Sequence, residues 1–242
     1  MSAYLLVFVV GTFAGVISGV IGTGSSIILL PVLAFFFGPV AAVPIMAIAA
    51  VMANVARILA WWRVVDWKAC AVYSLGGIPG AALGARTLLS LPESLINAAL
   101  GGFFLVMIPL RHRMRARRFR LSLWQLGLAG AVIGYLTGLV LSTGPLSVPA
   151  FTAYGLSKGA FIATEAAGSL FLYLSKLTTF GSLDALPWAV VFKGALVGSS
   201  LMLGTFVGKA VMLHLSEPVF QRLLDALMLC SGLSLLWIAL AR

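Results

Sequence analysis

Apolar segments recur from one end of this 242-residue chain to the other, and that recurrence is the strongest limit on what it can fold into. Their approximate bounds are 3–21, 26–38, 42–62, 69–90 and 95–110, then 122–141, 146–155, 159–180, 186–213 and 218–241. All but 26–38 and 146–155 are long enough to cross a hydrocarbon core of about 30 Å as helices. Only 9% of the residues are charged, whereas a soluble domain needs about a quarter to clothe its surface. The solvent around most of the chain is therefore lipid. The expected fold is all-α and polytopic, with about eight transmembrane helices, or up to ten if the two short segments cross. The first run, Tyr4 to Val20, has no basic leader and no Ala-x-Ala site, so it reads as retained helix rather than signal peptide.

A net charge of +10 invites a nucleic-acid reading, and its distribution argues against one. Arg111, Arg113, Arg115, Arg117, Arg118 and Arg120 fall in one short stretch between apolar runs. Such a cluster holds a loop in the cytoplasm and can touch anionic headgroups. The expected surroundings are the lipid bilayer of a bacterial inner membrane and a small anionic substrate, with no nucleic acid and a homo-oligomer left open.

The chain reads as two related halves, 1–110 and 122–242, joined by a basic loop at 111–121. Gly15, Ser18 and Gly19, then Gly22-Thr23-Gly24-Ser25-Ser26 and Pro31, are echoed by Gly134, Thr137 and Gly138, then Ser142-Thr143-Gly144 and Pro149. Gly80, Gly84 and Leu91-Pro92-Glu93 are echoed by Gly204, Gly208 and Leu215-Ser216-Glu217. Internal duplication is common in secondary transporters, with the site between the halves. If the short segments do not cross, each half has four spans, the halves are parallel and both termini lie in the cytoplasm. If they cross, each half has five and the repeats are inverted. Counting Lys and Arg outside the basic loop does not separate the two; four crossings plus one broken or re-entrant element per half is the expected arrangement.

Two Gly/Ser/Thr-rich breaks precede the short segments, at Gly22 to Ser26 and Ser142 to Pro145. Interrupted backbone at membrane depth survives only where protein or a water-filled cavity satisfies its NH and CO groups. A helix restarting there points free NH groups and a positive dipole end at whatever occupies the break, which suits an anion. Gly22, Thr23, Gly24, Ser25, Ser26, Ser142, Thr143 and Gly144 are therefore candidate substrate-binding residues. Gly15, Gly19, Gly80, Gly84, Gly204 and Gly208 read instead as close helix packing.

Charges inside apolar runs mark cavities or buried partners. Arg57, one turn after Asn54, has Lys176 as its counterpart in the second half, and together they would make a central site positive. Asn54, Arg57 and Lys176 join the substrate-binding candidates, although Trp61 and Trp62 also suit an interfacial Arg57. Glu165, among small residues, is a candidate proton carrier for coupling, or a structural partner for a lysine.

Enzyme chemistry lacks raw material. There is no GxSxG, HExxH, P-loop or paired-carboxylate constellation. Cys70, Cys230, His112 and His214 have no metal-ligand spacing, so neither a metal nor another cofactor is expected.

The run Gly15-Val-Ile-Ser18-Gly19-Val-Ile-Gly22-Thr23-Gly24-Ser25-Ser26, its shorter second copy, and the paired Gly-x-x-x-Gly patterns resemble the sulfite exporter TauE/SafE family of permeases. The resemblance covers nearly the whole chain. It implies secondary transport of a small sulfur-containing anion such as sulfite, a sulfonate or thiosulfate. Ser25, Ser26 and Leu141 depart from the usual glycine-rich pattern, which bears on substrate choice. The alternatives are a permease for another small anion, such as a carboxylate, and a non-transporting membrane scaffold.

Overall fold

The computed structural model describes residues 2–21, 25–116, 120–140, 144–156, 158–184 and 186–211, with scattered helical positions between 222 and 240. Helices account for almost all of it, and no strand occurs among the described residues. The helices are α1 Ser2–Ile21, α2 Ser25–Phe37, α3 Pro39–Trp61, α4 Trp67–Leu89, α5 Glu93–Ala116, α6 Leu123–Val140, α7 Gly144–Tyr154, α8 Lys158–Ser182 and α9 Trp188–Val211. Each falls on an apolar segment of the sequence. Local chemistry sets several boundaries. Gly38, at φ 79°, turns α2 into α3, where Pro39 occupies a first-turn position that lacks a helical NH partner anyway. Asp66 caps α4 by accepting from the Ala69 amide at 3.0 Å.

The outer surface is apolar. Leu5, Val9 and Phe13, four residues apart on α1, are exposed, as are Leu128 and Val132 on α6. Such faces need a lipid solvent. Val40–Val64 and Trp188–Gly208 are long and apolar enough to cross a membrane, and Tyr4–Gly19, Ile28–Phe37, Gly101–Leu110 and Leu123–Leu139 are shorter apolar helices.

Glycine rows clamp the bundle. A Cβ at Gly15 would lie 2.5 Å from the Leu201 carbonyl oxygen, and one at Gly19 the same distance from that of Thr205. Gly204 and Gly208 in turn approach the backbone of Thr12 and Val16. The same construction joins Gly80 and Gly84 of α4 to Ala131, Tyr135 and Gly138 of α6. Backbones this close exchange dispersion contacts that larger side chains would prevent. The expected packing role of these six glycines is what the structure shows. The sequence did not show the pairing, in which each half's first helix locks onto the other half's fourth.

Contact order along these seams fixes helix direction. Gly11, Gly15 and Gly19 meet Ser200, Leu201 and Thr205 in ascending order, so α1 and α9 run the same way. So do α3 and α9, through Ile48 with Gly194 and Met52 with Gly198. Likewise α4 runs with α6 (Gly76 with Gly127, Gly80 with Ala131) and with α8 (Gly168 against Tyr73, Gly77 against Leu172). Between the two sets the direction reverses: Arg57 meets Glu165, whereas Trp61 meets Gly159. Thus α1, α3 and α9 point one way and α4, α6 and α8 the other.

Because α1 and α3 are parallel, the stretch between them carries the chain back. Accordingly the Phe37 ring, at the end of α2, lies 5.9 Å from that of Tyr4, at the start of α1. In the second half the Leu121 amide, just before α6, donates to the Ala153 carbonyl near the end of α7 at 3.0 Å. The expectation of parallel halves requires α1 and α6 to run alike, and they run oppositely.

Candidate functional site

With 13 and 11 residues, α2 and α7 measure about 20 and 16 Å, roughly half a membrane each. Their first turns both reach the middle of α8. The side chain of Ser26, at the start of α2, lies beside the Tyr173 side chain. That of Ser147, in the first turn of α7, donates to Glu165 Oε1 at 2.9 Å. Glu165 and Tyr173 are two turns apart on one helix. Both short helices therefore aim their positive ends at α8, at points about 12 Å apart along it.

α3 closes this region from the other side. Arg57 Nη1 lies 3.5 Å from Glu165 Oε2, and Arg57 Nη2 donates to Asn54 Oδ1, one turn back. Ser169 Oγ adds a second hydroxyl to Glu165 Oε1 at 2.8 Å. From α4, the Tyr73 ring packs against Gly168 and stacks at 4.8 Å on Phe151. Arg57 is 6% exposed, Glu165 4%, and Asn54 and Tyr73 are wholly buried. Arg57 is thus a central residue and not an interfacial anchor.

The predicted candidates are only partly brought together. Ser25, Ser26, Asn54, Arg57 and Glu165 are buried in or beside this cluster, and Gly144 begins α7. Gly22, Thr23, Gly24, Ser142 and Thr143 lie outside the described residues. Lys176 is buried but stands eleven residues beyond Glu165, about 16 Å along α8. It donates to the Thr137 carbonyl at 2.9 Å, with its amine 5.4 Å from the Phe180 ring. Thr137 is in the last turn of α6, whose carbonyls have no intrahelical donors, so the lysine caps that helix just before the second break. The expected shared cationic site of Arg57 and Lys176 is therefore split. Glu165, read as a proton carrier or as the partner of a lysine, faces an arginine across the halves.

Tyr73, Ser147 and Ser169 were not singled out from the sequence. Ser169 stands one turn from Glu165, a signal that was available. Nothing in the sequence ties Tyr73 to Glu165, because only the packing of α4 on α8 joins them. No group of three or more His, Cys, Asp or Glu able to hold a metal occurs among the described residues.

A carboxylate, a guanidinium and two serine hydroxyls are thus gathered in the interior of the bundle. Comparison with known sequences identifies the setting, because the profile of the sulfite exporter TauE/SafE family matches residues 7–235. The chain belongs to the sulfite exporter TauE/SafE family. Among curated relatives it is 25% identical, over 95% of this chain and 98% of the other, to "Probable membrane transporter protein YjnA" of Bacillus subtilis (strain 168). No solved structure matches. This TauE/SafE protein is therefore a membrane transporter, helical throughout almost all of its described residues.

Proposed function

We propose that this TauE/SafE protein is a secondary transporter that moves a small sulfur-containing anion, such as sulfite, a sulfonate or thiosulfate, across the bacterial inner membrane in which it sits as a multi-pass protein. The observation that carries the reading is the convergence of the first turns of α2 and α7 on the interior stretch of α8 that Arg57 also faces. Two helix N-termini, each worth about half a positive charge, and a guanidinium make a region that attracts oxyanions. Thr23, Ser25, Ser26, Ser142 and Thr143 add hydroxyls at the breaks, and Gly22, Gly24 and Gly144 allow close backbone approach. Asn54 orients Arg57, Lys176 secures the end of α6 beside the second break, and Glu165 couples transport to protons.

The opposed directions of α1 and α6 support ten crossings arranged as two inverted repeats, with the site between them. Charge placement agrees. In that arrangement Arg63, Lys68, Arg111, Arg113, Arg115, Arg120 and Lys158 fall at one face, against Arg86 and Lys193 at the other. The first face is cytoplasmic by the bias of basic residues. Alternating access then amounts to rocking one half against the other about Arg57 and Glu165.

The test is flux in proteoliposomes of purified protein, using radiolabelled sulfite, sulfoacetate and thiosulfate, with acetate as the carboxylate comparison. Saturable movement of at least one sulfur anion, above that in empty liposomes, is expected. Movement of acetate alone would reassign the substrate, and movement of none would remove the sulfur-anion reading.

A further inference from the structure

Among the described residues, three buried donors around Glu165 have no hydrogen-bond partner: Asn54 Nδ2, Arg57 Nε and the Tyr73 hydroxyl. Unsatisfied donors are rare in protein interiors and costly where no water competes. Here they come from α3 and α4, the two helices that pack on α8, whose Glu165 carboxylate is itself well supplied. Glu165 Oε1 takes two serine hydroxyls at 2.9 and 2.8 Å, while Oε2 receives Arg57 Nη1 only at 3.5 Å. A charge-assisted pair normally closes to about 2.7–2.9 Å, often with two parallel bonds. The guanidinium is therefore shared loosely with Glu165, and its fork is not filled.

We propose that Asn54, Arg57 and Tyr73 form the receptor for a monovalent oxyanion, and that Glu165 occupies it as an internal stand-in that the anion displaces by taking up one proton. The proposal rests on the reading of the chain as an anion transporter and adds the coupling rule. Charge balance dictates that rule. Arg57 with ionised Glu165 sums to zero; Arg57 with a bound monoanion and ionised Glu165 sums to minus one, in an interior that penalises unpaired charge heavily. One proton on the Glu165 carboxyl restores zero. It comes from water on the side the anion enters and leaves with the anion on the other.

The partners of Glu165 suit both states. A serine hydroxyl donates to a carboxylate and can accept from a carboxylic acid, so one of Ser147 and Ser169 need only turn its proton while the other goes on donating. The ionisable groups around Glu165 are few. Arg57 faces it from α3 and Tyr73 from α4, and Tyr173 lies two turns along α8, while α7 brings Ser147. The α6 helix carries only Tyr135, which is exposed, and the turn after α3 only Arg63, set over the exposed Trp62 ring. Asp66 approaches Thr164 through its backbone amide and turns its carboxylate to the start of α4. Glu165 is thus the acid in this cluster.

The probe is methanesulfonate, which stays monovalent throughout the working pH range, titrated calorimetrically into purified protein in buffers of different ionisation heat. Wild-type binding should take up one proton per anion, and its affinity should therefore fall about tenfold for each pH unit over which that uptake holds. Glu165→Gln should bind at least tenfold tighter at pH 7.5, with a flat pH profile and no proton uptake. Tyr73→Phe should bind severalfold more weakly and still take up the proton. If Glu165→Gln does not fold, Ser169→Ala replaces it; with the carboxylate less well held, binding should tighten severalfold. Absence of methanesulfonate binding, binding without proton uptake, a wild-type pH slope in Glu165→Gln, unchanged or weaker binding by Ser169→Ala, or wild-type affinity in Tyr73→Phe would each overturn the inference. Sulfite or thiosulfate flux in proteoliposomes judges the transport reading separately, so either can fail alone.

Discussion

Arg57 of the first half and Glu165 of the second meet 3.5 Å apart where both are buried, on helices that run antiparallel. This contact is the one ion pair between α3 and α8 among the described residues, and it ties the halves together at the level where the two short helices begin. Its energetics differ from those of a surface pair, since neither charge has water to fall back on.

Breaking the pair from one side strands a charge. Arg57→Met should lower stability by about 3–5 kcal/mol, the range for an uncompensated buried charge. Arg57→Met combined with Glu165→Met should recover most of that loss, because no charge is left behind. Thermal unfolding in detergent measures both. Losses that simply add in the double variant would mean that the two side chains are not energetically coupled.

The glycine seams make a graded prediction. Gly19→Leu and Gly84→Leu each drive a side chain into facing backbone, of Thr205 and of Tyr135 respectively, and should reduce folded yield sharply. A Cβ at Gly102 would meet nothing within 4 Å, so Gly102→Leu should be tolerated. Size-exclusion profiles of membrane-extracted protein read the difference. Equal yields from all three would leave the seams without a packing role.

Helix direction predicts topology. The turn after α8, at exposed Leu183, lies at the end of the bundle opposite the start of α6, where Ser122 is exposed. An impermeant thiol reagent applied to whole cells should label Leu183→Cys and spare Ser122→Cys, in a background from which Cys70 and Cys230 have been removed. The four-span arrangement with parallel halves puts both sites in the cytoplasm, so protection of Leu183→Cys would restore it.

Lys176 should behave as a cap. Lys176→Met removes a charged donor from the Thr137 carbonyl and should cost about 1.5–3 kcal/mol of stability. Anion affinity in the folded protein should change by less than about threefold, because the amine is about three helical turns from Glu165. A loss of affinity of tenfold or more, with unchanged melting, would return the lysine to the substrate site.

Much of the candidate site was legible in one dimension. A charge inside an apolar run has few explanations; Arg57 and Glu165 were read from that alone, and Asn54 from standing one turn before Arg57. The breaks before α2 and α7 were equally plain, since Gly, Ser and Thr interrupt runs that otherwise favour helix. The partnership was not legible. Arg57 and Lys176 occupy equivalent places in the two halves, which suggested one shared cationic centre. In the structure Lys176 bonds to the end of α6, about 16 Å along α8 from Glu165, and Arg57 meets Glu165 instead.

The sequence by itself determined the helices, their approximate bounds, the lipid surroundings and the family, because each is written in local composition and spacing. A membrane helix satisfies its own backbone, so its existence depends on little beyond its own residues. Direction, partnership and depth were decided only by the tertiary structure. Whether α2 returns the chain depends on which glycine of α1 faces which residue of α9. That Tyr73 stands beside Glu165 depends on Gly168 leaving room for its ring. Such relations arise from packing between distant segments, where small residues set how close two backbones come, and no local pattern in either segment encodes the match.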